Sequence, residues 1–165
     1  MPATYEPIAT TTLGSATTNI TFSTIPATYT DLRIVLVNTT VGSIIPGLRF
    51  NSDTASNYSN TILAGDGSSV YSGRNTNTNE LYFSDSTATS ATIPVIFTID
   101  VFSYAGSTRK TVLSTASGDL NGSGKSERNI GLWRDTTAIT TINLSARSST
   151  WAIGTIATLY GIKNA

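Results

Sequence analysis

The sequence predicts an all-β chain, a single antiparallel β-sandwich domain of jelly-roll type. Three observations lead there. Apolar residues recur at every second position in segment after segment. No stretch of about ten residues carries an i, i+3, i+4, i+7 apolar stripe, so helices and βαβ units are not expected. Turn-forming residues interrupt the chain at intervals of roughly 8–15 residues, the spacing of sandwich strands.

Taken in order, Tyr5–Leu13 and Thr18–Ser23 are the first strand candidates, separated by a Gly-Ser break. Asp31–Val37 shows the clearest alternation, with Leu32, Ile34 and Leu36 on one face. Leu48–Asn51, Tyr58–Leu63 and Glu80–Ser84 follow, bounded by Pro46-Gly47 and Gly65-Asp66-Gly67. Ile93–Tyr104 alternates on both faces: Val95, Phe97, Ile99 and Val101 against Ile96, Thr98, Asp100 and Phe102. It therefore reads as a central strand covered on each side. Lys110–Ala116, Arg128–Arg134, Ile139–Ala146 and Thr155–Ile162 complete the set, with Ser84–Ala91 and Gly118–Ser126 as loops. Ile8 and Leu13 near the start, and Ile156 and Leu159 near the end, suggest terminal strands lying side by side. Pro2 and Pro7 favour a short extended N-terminal arm over about residues 1–7.

Composition narrows function. Asp, Glu, Lys and Arg make up only 12% of the chain, and ten acids balance ten bases. A typical domain has about 25% charged residues. Zero net charge without clustered cations argues against nucleic acid and against an anionic membrane as partners. Polarity comes instead from 30 threonines and 21 serines. Threonine is β-branched, so it suits a pleated sheet while presenting a neutral hydroxyl to water. Few like charges repel between copies, which favours dense packing beside identical neighbours. No run approaches 18 apolar residues, and the N-terminus lacks the basic and apolar segments of a signal peptide. Synthesis in a cytoplasm is expected.

Catalytic and metal chemistry find little to work with. There is no His and no Cys, so the commonest general base, transition-metal ligand and thiol nucleophile are absent. No enzyme activity and no cofactor are expected. Gly118-Asp119-Leu120-Asn121-Gly122-Ser123-Gly124-Lys125-Ser126 imitates a P-loop, but Asp119 stands where the pattern needs glycine and a strand follows where a helix is required. It reads as a hairpin loop. Calcium is the only plausible ion, through oxygen ligands in Asn51-Ser52-Asp53 and Gly65-Asp66-Gly67, and both segments read better as turns. Lys110, Lys125 and Lys163 each lie near Ser or Thr, an adjacency that this composition produces by chance. Asp100, inside an apolar strand, is expected to be paired or turned outward. Tyr58, Tyr71, Tyr82, Trp133 and Trp151 are candidates for sugar stacking or an interface, with core packing the stronger expectation for the two tryptophans.

Three segments together carry a resemblance: Phe22-Ser23-Thr24-Ile25-Pro26-Ala27-Thr28-Tyr29-Thr30-Asp31-Leu32-Arg33, Leu48-Arg49-Phe50-Asn51-Ser52-Asp53, and Thr158-Leu159-Tyr160-Gly161-Ile162-Lys163. From about residue 5 onward the sequence resembles small tailed-phage virion proteins, cyanophage-like ones among them, of the head-decoration (cement) or tail-fibre type. The resemblance implies a β-sandwich on a virion surface and brings no functional residue with it. Its first expectation is a decoration protein, a homotrimer bound to the major capsid protein, with Met1, Pro2, Tyr5 and Pro7 contacting the shell. The shortness of the chain favours that over a fibre shaft. The alternative is a tail-fibre or receptor-binding module that recognises host polysaccharide through Tyr71, Tyr82, Trp133 and Trp151.

Overall fold

A computed structural model describes residues 4–38, 42–85, 87–90, 92–147 and 149–163. All secondary structure among them is β. The strands are β1 (Tyr5–Thr12), β2 (Asn19–Phe22), β3 (Asp31–Asn38), β4 (Gly42–Ile44), β5 (Gly47–Phe50), β6 (Tyr58–Gly65) and β7 (Val70–Thr78). They continue as β8 (Leu81–Tyr82), β9 (Thr87–Thr89), β10 (Val95–Phe102), β11 (Lys110–Gly118), β12 (Lys125–Trp133), β13 (Ile142–Ser145) and β14 (Ile156–Ile162). An eight-stranded sheet has the order β1-β14-β3-β10-β11-β12-β6-β7, a four-stranded sheet the order β2-β13-β5-β8, and β4 pairs with β9 as a small ribbon. The architecture is an antiparallel β-sandwich. Its unequal sheets, eight strands against four, leave the narrower jelly-roll description unsupported.

Alternation decides which side chains meet between the layers. From the large sheet come Leu32, Ile34 and Leu36 of β3 and Val95, Phe97, Ile99 and Val101 of β10. Ile20, Phe22, Leu48, Phe50, Ile142 and Leu144 face them from the small sheet, and all are buried. The terminal strands pair as expected, with Tyr5 opposite Ile162 and Thr12 opposite Ile156. Two expectations need correction. Tyr5, Glu6 and Pro7 belong to the β1 ladder, so no free arm reaches residue 7; Met1 and Pro2 lie outside the described residues. The second concerns β10, which is central but covered on one face only. Its outward Ile96 and Phe102 are exposed, because nothing among the described residues packs on that side. Asp100 is paired, bound by Arg33 directly across the β3–β10 ladder at 2.5 and 2.9 Å.

Four strands cannot cover eight. Over β11 and β12 the cover is the strap Glu80–Asp85, whose Leu81–Tyr82 form β8, the short edge strand of the small sheet. Irregular backbone buried there needs hydrogen-bond partners, and the inward polar residues of the large sheet provide them. Asn129 donates to the Tyr82 carbonyl at 2.6 Å and Ser114 to that of Phe83 at 2.9 Å. Glu127 accepts from the Ser84 hydroxyl at 2.6 Å and the Asp85 amide at 2.9 Å. Leu81 lies directly on Gly131, where a methyl group would overlap its side chain.

Lys110 is fully buried at the start of β11, and its ammonium donates to the carbonyls of Gly106, Thr108 and Thr136. Burial pushes its pKa below the ordinary lysine value. At the same end of the sheet Trp133 packs on Phe50 and Tyr58 with ring centroids 5.3 and 6.3 Å away, while its indole donates to Asp53 at 2.7 Å. Burial opposes the ionised form of Asp53, yet donors from Trp133, Asn57 and Ala55 outweigh it and hold the carboxyl below the usual carboxylate range.

Gly131→Ala is expected to lower stability by about 1–3 kcal/mol through overpacking against Leu81, measured as a fall in the urea midpoint. Asp53, with its depressed folded-state pKa, contributes stability that is present above the unfolded value of about 3.9 and is lost as pH falls through the folded one. Urea midpoints taken from pH 5 down to pH 2.5 should therefore fall less steeply for Asp53→Asn than for the wild type.

Candidate functional site

Each sheet turns one face outward, and the two faces differ in chemistry. On the large sheet the outward residues form rows across the strands. One row runs Ile156–Val37–Ile96 through β14, β3 and β10. Another runs Arg33–Asp100–Leu113–Ile130 through β3, β10, β11 and β12, with Leu63 of β6 on a neighbouring row beside Arg128. Leu63 and Ile130 are 56% and 57% exposed, and Ile96, Phe102 and Ile156 are exposed as well. Threonines 98, 111 and 115 fill the spaces between them. Tyr5 and Pro7 stand at the β1 edge of this same face, opposite Ile162 and Tyr160. The Tyr5 ring meets Tyr160 edge-on at 6.4 Å and lies 5.5 Å from the Arg33 guanidinium. The result is a broad, nearly neutral surface of branched side chains, suited to another protein surface.

The outer face of the small sheet is polar. Ladder register places Asn19, Ser145, Gly47 and Tyr82 in one row and Thr21, Asn143 and Arg49 in the next. Glu80, just before β8, folds its carboxylate over Gly47, occupying the space that a side chain there would need. The carboxylate is 4% exposed and accepts from the Ser145 hydroxyl at 2.9 Å. Arg147 binds it at 2.6 Å and Arg49 approaches to 3.5 Å. Arg147 also lies over the Tyr82 ring at 4.2 Å, a position reached through a left-handed backbone (φ 43°) that a non-glycine residue adopts at some cost. A concavity of about 510 Å³ opens here, lined by Thr18, Asn19, Ile45, Arg49, Glu80, Ser145 and Arg147. A second, of about 420 Å³, shares Asn19 and Arg49 with it and continues past Thr21 and Asn143.

The aromatic candidates separate. Trp133, Trp151 and Tyr58 are buried; the Trp151 indole donates to the Leu144 carbonyl at 3.1 Å, and none of the three presents a face to a ligand. Tyr71 is half-exposed but engaged, its hydroxyl donating to Asp85 at 2.9 Å and its ring 4.7 Å from the Lys125 ammonium. Tyr82 is covered by Arg147. The P-loop look-alike is the turn between β11 and β12. In the two calcium-like clusters, Asp53 faces Trp133, and Asp66 accepts from Ser69 and Ser68, whose donors hold its carboxyl well below the usual carboxylate range. Sequence reasoning missed the grouping of Arg49, Glu80 and Arg147, which the fold brings together from β5, the residue before β8 and the turn after β13. Its one local signal was Glu80, an acid at the head of an apolar run.

No protein-family model matches the chain, and no curated protein matches it in sequence.

Gly47→Ala would force the Glu80 carboxylate off its seat between the two arginines. The expected loss is about 1–3 kcal/mol, read from urea unfolding. Glu80→Gln, which keeps the shape but removes the charge shared by Arg49 and Arg147, is expected to cost a similar amount.

Proposed function

We propose that the chain is a non-catalytic structural protein of a bacteriophage virion, a decoration protein that lies on the major capsid protein through the outer face of its eight-stranded sheet. The observation that carries this reading is the exposed set Leu63, Ile96, Phe102, Ile130 and Ile156 on one broad face with few net charges. Exposed apolar side chains in such number on one face mark a protein contact, and the resemblance to small virion proteins supplies the shell as partner. Tyr5 and Pro7, the described members of the expected shell-contacting set, lie at the edge of the same face. In this reading the protein assembles as a trimer at the particle surface, where its neutral hydroxyl-rich exterior lets copies sit close together.

The acids add support, since several are spent on structure. Asp100 is bound to Arg33, Glu127 to Lys125 and the strap, Glu80 to two arginines, and Asp53 to Trp133. Burial of Trp133 and Trp151 takes two of the four aromatic residues away from the receptor-binding alternative.

Copy number in purified particles tests the proposal. Hundreds of copies are expected; a dozen or fewer would end it. A double variant, Leu63→Lys with Ile130→Lys, should abolish co-sedimentation with particles stripped of the protein while leaving the unfolding midpoint nearly unchanged, because both side chains already face water.

A further inference from the structure

We infer that the paired hollows on the outer face of the four-stranded sheet form a binding site for a carboxylate-bearing sugar, the kind of unit found in uronic-acid polysaccharides. This face is opposite the one assigned above to shell contact, so the site would point away from the particle.

The charge arrangement comes first. Glu80 is buried and its acceptors are used by Ser145, Arg147 and Arg49. The guanidiniums are not used up. Arg147 commits its Nε to Glu80, and Arg49 commits its Nε to the Asn79 carbonyl at 3.2 Å and an Nη2 to Glu80. Each guanidinium carries five N–H donors in a planar fork that matches a carboxylate. Arg147 is about one-third exposed and Arg49 slightly less, at the lip of the 510 Å³ hollow. Two cations around one buried anion leave one positive charge facing the hollow. Glu80 acts as a positioning residue that holds both forks in place.

The surroundings select the rest of the ligand. Asn19, Thr21, Asn143 and Thr18 offer neutral donors and acceptors along the floor, and Asn143 already donates to Thr21 at 2.9 Å. Such amide and hydroxyl groups satisfy the alternating donors and acceptors of ring hydroxyls. Among the described residues Ile45 is the one apolar side chain lining either hollow, so a ligand held there is bound through polar groups. The two volumes fall in the range of roughly 300–1,000 Å³ usual for small-ligand sites.

The test uses the full chain, isotope-labelled, titrated with trigalacturonate and followed by amide NMR. Saturable shifts confined to Asn19, Thr21, Asn143, Ser145 and their neighbours are expected. The trimethyl ester of the same sugar, which keeps every hydroxyl and loses the charge, should bind at least tenfold more weakly. Arg147→Gln should lose at least tenfold as well. Thr21→Trp, which fills the second hollow without touching the ion pairs, should do the same, and it decides the matter should Arg147→Gln fail to fold. Equal binding of the ester, binding of hexaglutamate or sulfate as tight as that of the sugar, or no saturable shift would each overturn the inference. Leu63→Lys/Ile130→Lys should bind trigalacturonate as the wild type does, which separates this site from the shell-contact face.

Discussion

The mismatch between eight strands and four organises this molecule. A sheet of eight strands presents a wide inner face, and the four-stranded partner covers only part of it. Along the edge of that partner the strand β8 is only two residues long, and the chain around it, Glu80–Asp85, brings backbone groups that lose water when buried. A buried amide or carbonyl without a partner costs about 1–3 kcal/mol, so the large sheet turns Ser114, Glu127 and Asn129 inward at positions where a sandwich would ordinarily place apolar residues. Polar residues in the interior are thus a consequence of the layer mismatch.

The same strap ties the interior to the surface. Two adjacent residues at its start point in opposite directions, as strand geometry requires, and each is seated on a glycine: Leu81 inward on Gly131 of the large sheet, Glu80 outward on Gly47 of the small one. Neither glycine is needed there for backbone freedom; both are needed for space. Because Glu80 sits in an otherwise neutral face, it draws Arg49 and Arg147 over itself, and the polar hollow follows from that one placement. Packing and site chemistry share a cause.

The two outer faces divide the molecule's options. The large face keeps apolar side chains in water among threonines, with Arg33 and Asp100 neutralising each other across the ladder. A surface of that kind gains from covering by protein and gains little from a polyanion. The small face concentrates what charge the chain can spare beside amides and hydroxyls. A low charge content therefore does not mean a featureless surface, since three charged residues brought together by the fold outweigh many scattered singly.

By itself the sequence determined the class of structure and the location of most strands. Period-2 alternation states which residues must share a face, and strands such as Asp31–Asn38 and Lys110–Gly118 lie where that pattern puts them. Alternation vanishes where both faces see water, which is why Val70–Thr78, an exposed edge strand, was not legible, and it is too short to register in Gly42–Ile44 and Thr87–Thr89. Nor does it say how many faces are covered: apolar residues on both sides of Val95–Phe102 read as double burial, yet only the inner set is buried. The pairing order of the strands, the strap over β11 and β12, and the meeting of Arg49, Glu80 and Arg147 were decided by tertiary structure alone. They depend on contacts between residues far apart in the chain, and a local pattern holds no information about which distant strand will lie alongside.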